Sequence, residues 1–287
     1  MPTLYVVATP IGNLADMTPR AIDTLKSVGL IAAEDTRVTQ KLLSVFGIST
    51  PMTSCHEHNE RSKAERIVAR MLAENLDVAL TTDAGTPCIS DPGSILTEEA
   101  VKAGIQVVAV PGPTALAAAL SVSGMPVSEF TFYGFLPRAR GELKEKLREM
   151  RTHSRLAVVH ESPHRVVDLL DAMGELFPHT QVSASCDLTK KHECTLRGSV
   201  AQVLDALRAN PKADKGEYCL VLRWGDEDAI PAARQECQVS LEGRLLEKMF
   251  QGLSLREAME ALTGAGERKN AVYAAGLAVK QWLGERE

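Results

Sequence analysis

The segment LTTDAGTPCISDPG, residues 80–93, decides the fold class and contains the first candidate binding loop. It ends an apolar run and then places two glycines and two prolines close together. A helix does not tolerate these prolines, because proline lacks a backbone N–H and clashes with the preceding turn. Glycine lets a main chain approach a ligand closely, and proline fixes the loop before binding. The segment therefore predicts a buried strand that leads into a rigid binding loop.

Three further turns occupy the same position after apolar runs, and their sequences are ATPIGN, AEDTR and VPGPT. The first-half runs of strand length are residues 4–9, 30–35, 78–83 and 107–112. They alternate with amphipathic segments such as TPRAIDTLKSV, where Thr18 is the predicted N-cap and Pro19 the first helical residue. Such alternation predicts a largely parallel sheet flanked by helices. The turns are expected to converge at the carboxyl edge of that sheet, where ligands bind in open α/β folds.

The pattern changes at about Ser121. The second set of predicted strands is rich in aromatic and β-branched residues and comprises 130–135, 156–161, 181–188 and 217–224. A polar stretch with Gly and Pro follows, and three short helices come after it, the middle one starting at Ser254 and broken by GAG at 264–266. The fold class predicted is α/β with a parallel-rich domain, a mixed-sheet domain, a cofactor cleft between them and a helix-turn-helix-like unit. The expected boundaries are 1–120, 121–226, a linker at 227–240 and the helical unit at 241–287.

Composition and missing motifs exclude several classes of protein. The 287 residues are 45% hydrophobic and 24% charged with a net charge of -5, which is typical of a globular protein and not of a wholly basic nucleic-acid coat protein. There is no signal peptide, no membrane-spanning run and no paired-cysteine motif, so we expect a cytoplasmic protein with reduced thiols. The motifs GxxxxGK[ST], GxGxxG, GxSxG and HExxH are absent. His56 and His58 lack an evident third ligand, so no metal is predicted.

Nine motifs follow one another in the order of one known family. They are TPIGNLAD, IAAEDTR, HEHNE, TDAGTPCISDPG, VPGPTA, YGFLPR, ESPHR, LTK and KGEY. Together they make the chain resemble the tetrapyrrole methylase-like (class III) S-adenosylmethionine-dependent methyltransferases, and among these the members that methylate ribosomal RNA. One departure is SCDLTK in place of the family's ARELTK, which puts Cys186 and Asp187 where Arg and Glu are expected.

The resemblance implies a fold, a cofactor and partners. It implies a two-domain α/β homodimer that binds S-adenosylmethionine in the interdomain cleft without a metal. It also implies 2′-O-methylation of a cytidine ribose in the decoding region of 16S rRNA in the small ribosomal subunit. The residues expected to hold the donor by this resemblance are Pro10, Gly12, Asp83, Ala84, Gly85, Thr86, Pro87, Pro111, Gly112, Thr114, Phe135, Leu136, Gly216 and Glu217. For Phe135, plain core packing is an equal alternative.

Methyl transfer to a sugar hydroxyl is chiefly a positioning task, but the hydroxyl proton must also be removed or polarised. Lys190 is the first candidate base, because a lysine near a sulfonium in a closed cleft is expected to have a lowered pKa. Glu161 is the second candidate, and Asp35 with Arg37 is the third, as a pair that orients the ribose or a phosphate. A structural ion pair or a solvated charge remains an alternative for each of these residues.

The candidate RNA-binding residues lie in two basic segments. Residues 137–155 contain seven basic and three acidic side chains, and Arg138, Arg140 and Lys144 begin this segment. In the helical unit, Arg268 and Lys269 stand at a predicted helix start, where backbone amides also favour phosphate. Two other functions stay open: a methylase of a small tetrapyrrole, and a helix-turn-helix protein that only senses S-adenosylmethionine.

Overall fold

The computed structural model describes residues 1–57, 59–228 and 240–284. These residues form two compact units, one on each side of the interval 229–239, and each unit is described by itself. His58 and residues 229–239 of the predicted linker 227–240 lie outside the described residues. The domain boundaries expected from the sequence therefore stay predictions.

The first sheet has five parallel strands. They are β1 (Thr3–Val7), β2 (Leu30–Ala33), β3 (Met52–Ser54), β4 (Val78–Thr81) and β5 (Gln106–Val110). The strand order is β3-β2-β4-β1-β5, so β4 lies in the centre beside β1 and β2. All four residues of β4 are buried, as expected of a strand covered by helices on both faces. The carboxyl end of β4 therefore opens directly into the loop that begins at Thr82.

The helices that cover this sheet are α1 (Pro19–Ser27), α2 (Thr36–Val45), α3 (Glu60–Glu74) and α4 (Ser94–Lys102), whereas α5 (Ala115–Val122) follows β5 and packs on the second sheet. Thr18 caps α1 by accepting the Ala21 N–H, and Pro19 is the first helical residue, as predicted. Proline fits there because its missing N–H has no partner at that position in any helix.

Glu60, the first residue of α3, caps a different helix. Its side chain is buried, and Oε1 accepts the backbone N–H groups of Gly93, Ile95 and Leu96 at 3.0, 2.7 and 3.3 Å. These donors belong to the start of α4, where a helix leaves backbone N–H groups without partners. Glu60 therefore ties the end of the 82–93 loop to α3.

The second sheet is mixed. Its strands are β6 (Thr131–Phe135), β7 (Leu156–Glu161), β8 (Gln181–Cys186), β9 (Cys194–Ser199) and β10 (Tyr218–Arg223), in the order β6-β7-β10-β8-β9. Only β6 and β7 pair in parallel, with a register shift between Phe132 and Gly134, and the other neighbours are antiparallel. The helices packed with this sheet are α5, α6 (Arg140–His153), α7 (Val166–Leu176) and α8 (Val200–Ala209). The edge strand β9 was not predicted, because its half-exposed residues lack an apolar run.

The second unit contains α9 (Leu241–Phe250), α10 (Leu255–Gly264) and α11 (Lys269–Trp282). Ser254 begins α10 with a capping box that includes Glu257, and the helix ends at Gly264 as predicted. Its own core contains Leu245, Leu262, Val272 and Val279. The predicted fold class, two α/β sheets followed by a small helical unit, is confirmed. In the described parts of the chain, no helix combines the length and the hydropathy that crossing a bilayer requires.

Candidate active site

A cavity of 340 Å³ opens where the carboxyl ends of the first sheet face the second sheet. That volume lies at the lower end of the range of about 300–1,000 Å³ found for small-molecule sites. The first sheet contributes loops that follow β1, β4 and β5. The second contributes the ends of β6 and β7 and the start of β10, which lies at the same edge because β10 runs antiparallel to β7. Both sheets therefore build one site.

Several residues predicted to hold the donor line this cavity. They are Ala84, Gly85, Thr86, Thr114, Phe135 and Glu217. Gly85 has φ +87°, and its backbone exchanges two hydrogen bonds with Thr9, so the loop after β4 is fixed against β1. Phe135 is 61% exposed, which excludes plain core packing for this side chain. The predicted loops thus meet around the cavity, although their role in donor binding stays a prediction.

Other predicted residues shape the loops without lining the cavity. A Cβ at Gly12 would lie 2.5 Å from Lys190 Cγ, and one at Gly216 would lie 2.7 Å from Asp187 Oδ2. These contacts show that the loop after β1 and the loop before β10 both pack closely on residues 187–190. The remaining predicted donor residues lie in the loops after β1, β4 and β5 or just after β6, and they are Pro10, Asp83, Pro87, Pro111, Gly112 and Leu136.

Four carboxylates cluster at the ends of β2 and β4. The Asp35 N–H donates to Asp83 Oδ1 at 3.1 Å, and the Asp83 N–H donates to Glu34 Oε2 at 3.2 Å. Burial raises the pKa of Glu34 and of Asp83. Burial, with the charges of Glu34 and Asp83, raises the pKa of Asp91 to about 6. Asp91 lines the cavity, so the cluster gives this side of the site a negative potential.

The predicted pair Asp35–Arg37 is present at the rim of the site. Arg37 Nη2 lies 2.6 Å from Asp35 Oδ2, and the side chain of Arg37 is largely exposed. Hydrogen bonds from Arg37 lower the pKa of Asp35 to about 2. Neither residue lines the cavity. Their proposed role in orienting the ribose or a phosphate stays a prediction.

The expectation of a lowered pKa for Lys190 is wrong. Lys190 Nζ lies 2.9 Å from Asp187 Oδ1 and 2.9 Å from Glu217 Oε2. Burial lowers its pKa, but the hydrogen bonds and charges of the two carboxylates outweigh burial and raise it. A lysine held protonated in this way is a poor proton acceptor. The geometry instead places Lys190 as a clamp between the 187–190 loop and Glu217.

Two polar side chains at the end of β7, His160 and Glu161, line the cavity, and they differ in their partners. Among the described residues His160 Nε2 forms no hydrogen bond, whereas Glu161 Oε2 lies 3.2 Å from Arg165 Nη2 in an ion pair. Burial raises the pKa of Glu161 and lowers that of His160. His160 packs edge to face against Phe132 and Phe135, with ring centroids 5.1 and 5.7 Å away. Buried groups that remain unpaired are costly to a fold and often mark functional positions.

Sequence reasoning missed His160, Asp91 and Ser90 as cavity residues. Ser90 has φ +64°, and a Cβ on Gly134 would lie 2.8 Å from Ser90 Oγ, so the 82–93 loop approaches β6 closely. The motif ISDPG signalled a rigid turn but not which side chains face the second sheet. Which side chains of this turn face the second sheet depends on how the two sheets pack against each other.

The basic residues predicted to contact RNA occupy different surroundings. Arg140 and Lys144 both form ion pairs with Glu175, whereas Arg138 lies within electrostatic range of Glu161. Arg268 is the N-cap residue of α11, and Lys269 is the first residue of that helix, in the second unit. Two of the three predicted cations of α6 and its entry are therefore paired with a carboxylate of the protein itself.

Comparisons with known proteins identify the family. Residues 3–204 match the model of the tetrapyrrole (corrin/porphyrin) methylases. Curated proteins named ribosomal RNA small subunit methyltransferase I are similar to the chain along most of its length. The relative from Vibrio cholerae is 41% identical over 96% of this chain and 94% of its own, and that from Xylella fastidiosa is 40% identical over 92% and 95%.

The chain belongs to the ribosomal RNA small subunit methyltransferase I family. This membership confirms the resemblance to the S-adenosylmethionine-dependent methyltransferases that the nine motifs carry, and it makes the chain a methyltransferase. Solved structures agree with it at the level of the fold. Diphthine synthase superposes with a TM-score of 0.60 at 12% identity over 78% of this chain and 90% of its own. Uroporphyrin-III-C-methyltransferase from Thermus thermophilus gives 0.53 at 19% identity, over 78% and 94%.

The cavity of this ribosomal RNA small subunit methyltransferase I family member fits the donor that the family implies. S-adenosylmethionine carries a sulfonium cation, an amino-acid group and an adenosine. The acidic cluster suits the cation, and the tightly turned backbone at Gly85 and Thr86 suits close main-chain contacts. Apolar side chains of Ile11, Leu116 and Leu188 also line the cavity and suit a flat base.

Proposed function

We propose that this enzyme transfers a methyl group from S-adenosylmethionine to the ribose 2′-hydroxyl of a cytidine in the decoding region of 16S rRNA. One observation carries the proposal: one cavity is shared by rigid loops of the first sheet and by polar side chains at the end of β7, where His160 Nε2 has no partner among the described residues. The first set suits a methyl donor and the second suits an acceptor. Family membership supports ribosomal RNA as the class of acceptor.

The acidic cluster contributes by distinguishing donor from product. When bound, S-adenosylmethionine supplies a methyl group on a positively charged sulfur. Asp91, with Glu34 and Asp83 behind it, favours that cation over the neutral product through Coulomb attraction. Binding of the donor in turn lowers the cost of holding these carboxylates charged. Product release is therefore favoured once the positive charge has gone.

The acceptor end of the cavity lies at β7. Phe135 presents an exposed ring beside His160, and such a ring suits stacking with a nucleobase turned out of its helix. Since the pKa of His160 is lowered by burial, its ring is neutral at pH 7 and able to take the 2′-hydroxyl proton. We infer that His160 receives this proton and that the charge of Glu217, which acts to raise the pKa of His160, stabilises the resulting imidazolium. Lys190 is not the base in this scheme, because its ion pairs hold its own proton.

The finer partners follow from the resemblance. We propose that the enzyme acts in the cytoplasm on the small ribosomal subunit and that it works as a homodimer. Light scattering on the purified enzyme tests the dimer directly, and a monomer at working concentration would contradict it.

The deciding experiment is methyl transfer from labelled S-adenosylmethionine to 30S subunits of a strain lacking the modification, followed by mapping of the label. Ala84→Phe fills the cavity from an exposed position, and Ala201→Phe is a matched change on the exposed face of α8. We expect label on a cytidine 2′-oxygen with the unaltered enzyme and with Ala201→Phe, and none with Ala84→Phe. A tetrapyrrole is offered as a second acceptor, and label on it alone would favour a methylase of a small tetrapyrrole. Donor binding without transfer to either acceptor would favour a helix-turn-helix protein that only senses S-adenosylmethionine.

A further inference from the structure

Three arginines line two adjoining cavities in the second sheet, at the strand ends farthest from the active-site cavity. The cavities measure 640 and 330 Å³ and share Arg151, Arg155 and Arg223, which we call the arginine groove. Arg155 directly precedes β7 and Arg223 is the last residue of β10. Both lie at the start of β7, whereas Glu161 is at its end. The groove is therefore separate from the active-site cavity and lies about 17 Å from it along β7.

The groove holds cations without counter-charges bound to them. Among the described residues, the side chains of Arg155 and Arg223 form no hydrogen bond or ion pair. Arg151 is fixed by donating to the carbonyl oxygens of Asp228 and Gly225 at 3.3 and 3.4 Å. Glu129 and Asp226 also line the cavities, but neither of them pairs with an arginine in the described structure. Three like charges kept together in this way repel one another unless an anion joins them.

A buried donor next to the arginines points in the same direction. Trp224 lines the smaller cavity, is 5% exposed, and its indole N–H has no acceptor among the described residues. Gln181 lines the cavity as well. Side-chain donors thus outnumber acceptors here, whereas most buried polar groups in proteins are paired. A ligand rich in oxygen acceptors would satisfy these donors.

The groove takes up part of the charge of segment 137–155. The early cations of this segment, Arg140 and Lys144, are neutralised by Glu175, and Lys146 is paired with Glu149. Among the described residues, Arg138, Arg148, Arg151 and Arg155 form no ion pair, and β10 adds Arg223 beside the last two. The arginine groove therefore gathers cations from the end of this segment and from a strand far along the chain.

We propose that the arginine groove binds phosphate groups of the RNA substrate at a distance from the methylated nucleotide. This inference rests on the proposed function. A guanidinium donates two parallel hydrogen bonds to a phosphate, which suits arginine better than lysine for this task. Two adjoining cavities that share three arginines fit consecutive phosphates of one strand, whereas a free phosphate needs only one. A folded RNA can reach both this groove and the active-site cavity.

The test compares the double variant Arg155→Ala/Arg223→Ala with Arg208→Ala, an arginine already paired with Asp171. The substrate is unmodified 30S subunits. For the double variant we expect KM to rise about tenfold at about 0.1 M salt, with kcat and S-adenosylmethionine affinity unchanged. The slope of log affinity against log salt is expected to fall by about 1.4, since two phosphate contacts are lost. Arg208→Ala is expected to match the unaltered enzyme.

A second variant, Arg155→Lys/Arg223→Lys, keeps the charge and removes the paired geometry, so its salt slope is expected to stay normal while KM rises less. An unchanged KM and salt slope in the alanine variant would overturn the proposal. Conversion of a dimer to a monomer by the alanine variant would also overturn it, by showing an interface between copies. If the unaltered enzyme transfers no label but loses 16S rRNA binding through these substitutions, the groove stands and the proposed function fails.

Discussion

At the scale of single residues, Asp91 is a carboxylate held against its ordinary acidity. Burial and two neighbouring carboxylates raise its pKa from 3.8 to about 6. The folded protein therefore binds this proton more tightly than the unfolded chain does. The contribution of Asp91 to folding is favourable below pH 3.8 and is lost as the pH rises through 6. At pH 8 its charge destabilises the free enzyme, and a cation bound beside it would offset this cost.

Replacing Asp91 by Asn removes this charge. A shift of about two units corresponds to about 3 kcal/mol, and partial exposure reduces the expected effect to about 1 kcal/mol. We expect Asp91→Asn to raise the free energy of unfolding by that amount at pH 8 and to leave it unchanged at pH 3.5, as measured by urea unfolding. The exposed Asp205→Asn serves as control. Equal gains at both pH values would show that charge is not the cause.

His160 offers a second test at this scale. A phenylalanine at this position keeps a ring between Phe132 and Phe135 and removes a buried nitrogen that has no partner. We expect His160→Phe to keep or slightly raise thermal stability, because the unpaired group is gone. We also expect kcat to fall by 10²–10⁴, the usual contribution of an acid–base residue. A stable variant with normal kcat would assign His160 a purely structural role.

The pH profile separates His160 from Asp91. A neutral imidazole acts as base above its pKa, which burial lowers below 6.5, so kcat is expected to fall as the pH drops through that region. The residual activity of His160→Gln should show no fall in kcat at low pH, whereas Asp91→Asn should keep it. The reverse pattern would make Asp91 the proton acceptor.

At the scale of elements, α4 depends on a residue of α3. Glu60 Oε1 accepts three N–H groups at the start of α4, and no capping residue of α4 itself replaces it. We expect Glu60→Ala to cost about 2–4 kcal/mol in the free energy of unfolding, since buried donors lose their acceptor. Glu60→Gln keeps an amide oxygen and should cost about half as much. Chemical denaturation measures both variants, and the exposed Glu65→Ala should cost far less than Glu60→Ala.

The elements also show what sequence reasoning can reach. The strand–loop alternation predicts the parallel sheet because the pattern is local: each apolar run and its turn lie within a few residues, as at Val78–Thr81. Thr18, Ser254 and Gly264 mark helix ends for the same reason. The cap from Glu60, the pairs of Lys190 and the position of Arg223 depend on contacts between distant segments. Apolar periodicity carries no information about them.

At the scale of the whole molecule, the cavity and the helical unit are built from separate residues. Every described residue that lines the cavity lies within 1–228, and the helical unit has a core of its own. We expect two thermal transitions in calorimetry of the full chain. Leu262→Ala should lower only one of the two transition temperatures, because it reduces the free energy of unfolding of the helical unit by the 2–5 kcal/mol typical of such truncations. S-adenosylmethionine affinity should stay within about twofold. Leu170→Ala, in the core of the first unit, should lower the other.

A single cooperative transition that both substitutions shift equally would contradict this independence. Loss of donor affinity in Leu262→Ala would show instead that the helical unit supports the active site. Isothermal titration on both variants at a temperature below the first transition distinguishes these outcomes.

The loops around the cavity carry backbone strain, and this has a consequence for how the enzyme can change over time. Cys88, Ser90, Asp187 and Thr189 all have positive φ angles, between 52° and 70°, in the two loops that flank the site. Glycine would relieve each of them. Selection for heat resistance alone would therefore favour substitutions in the loops that build the active site. Directed evolution of a hardier enzyme is expected to lose activity there first, unless activity is selected in every round.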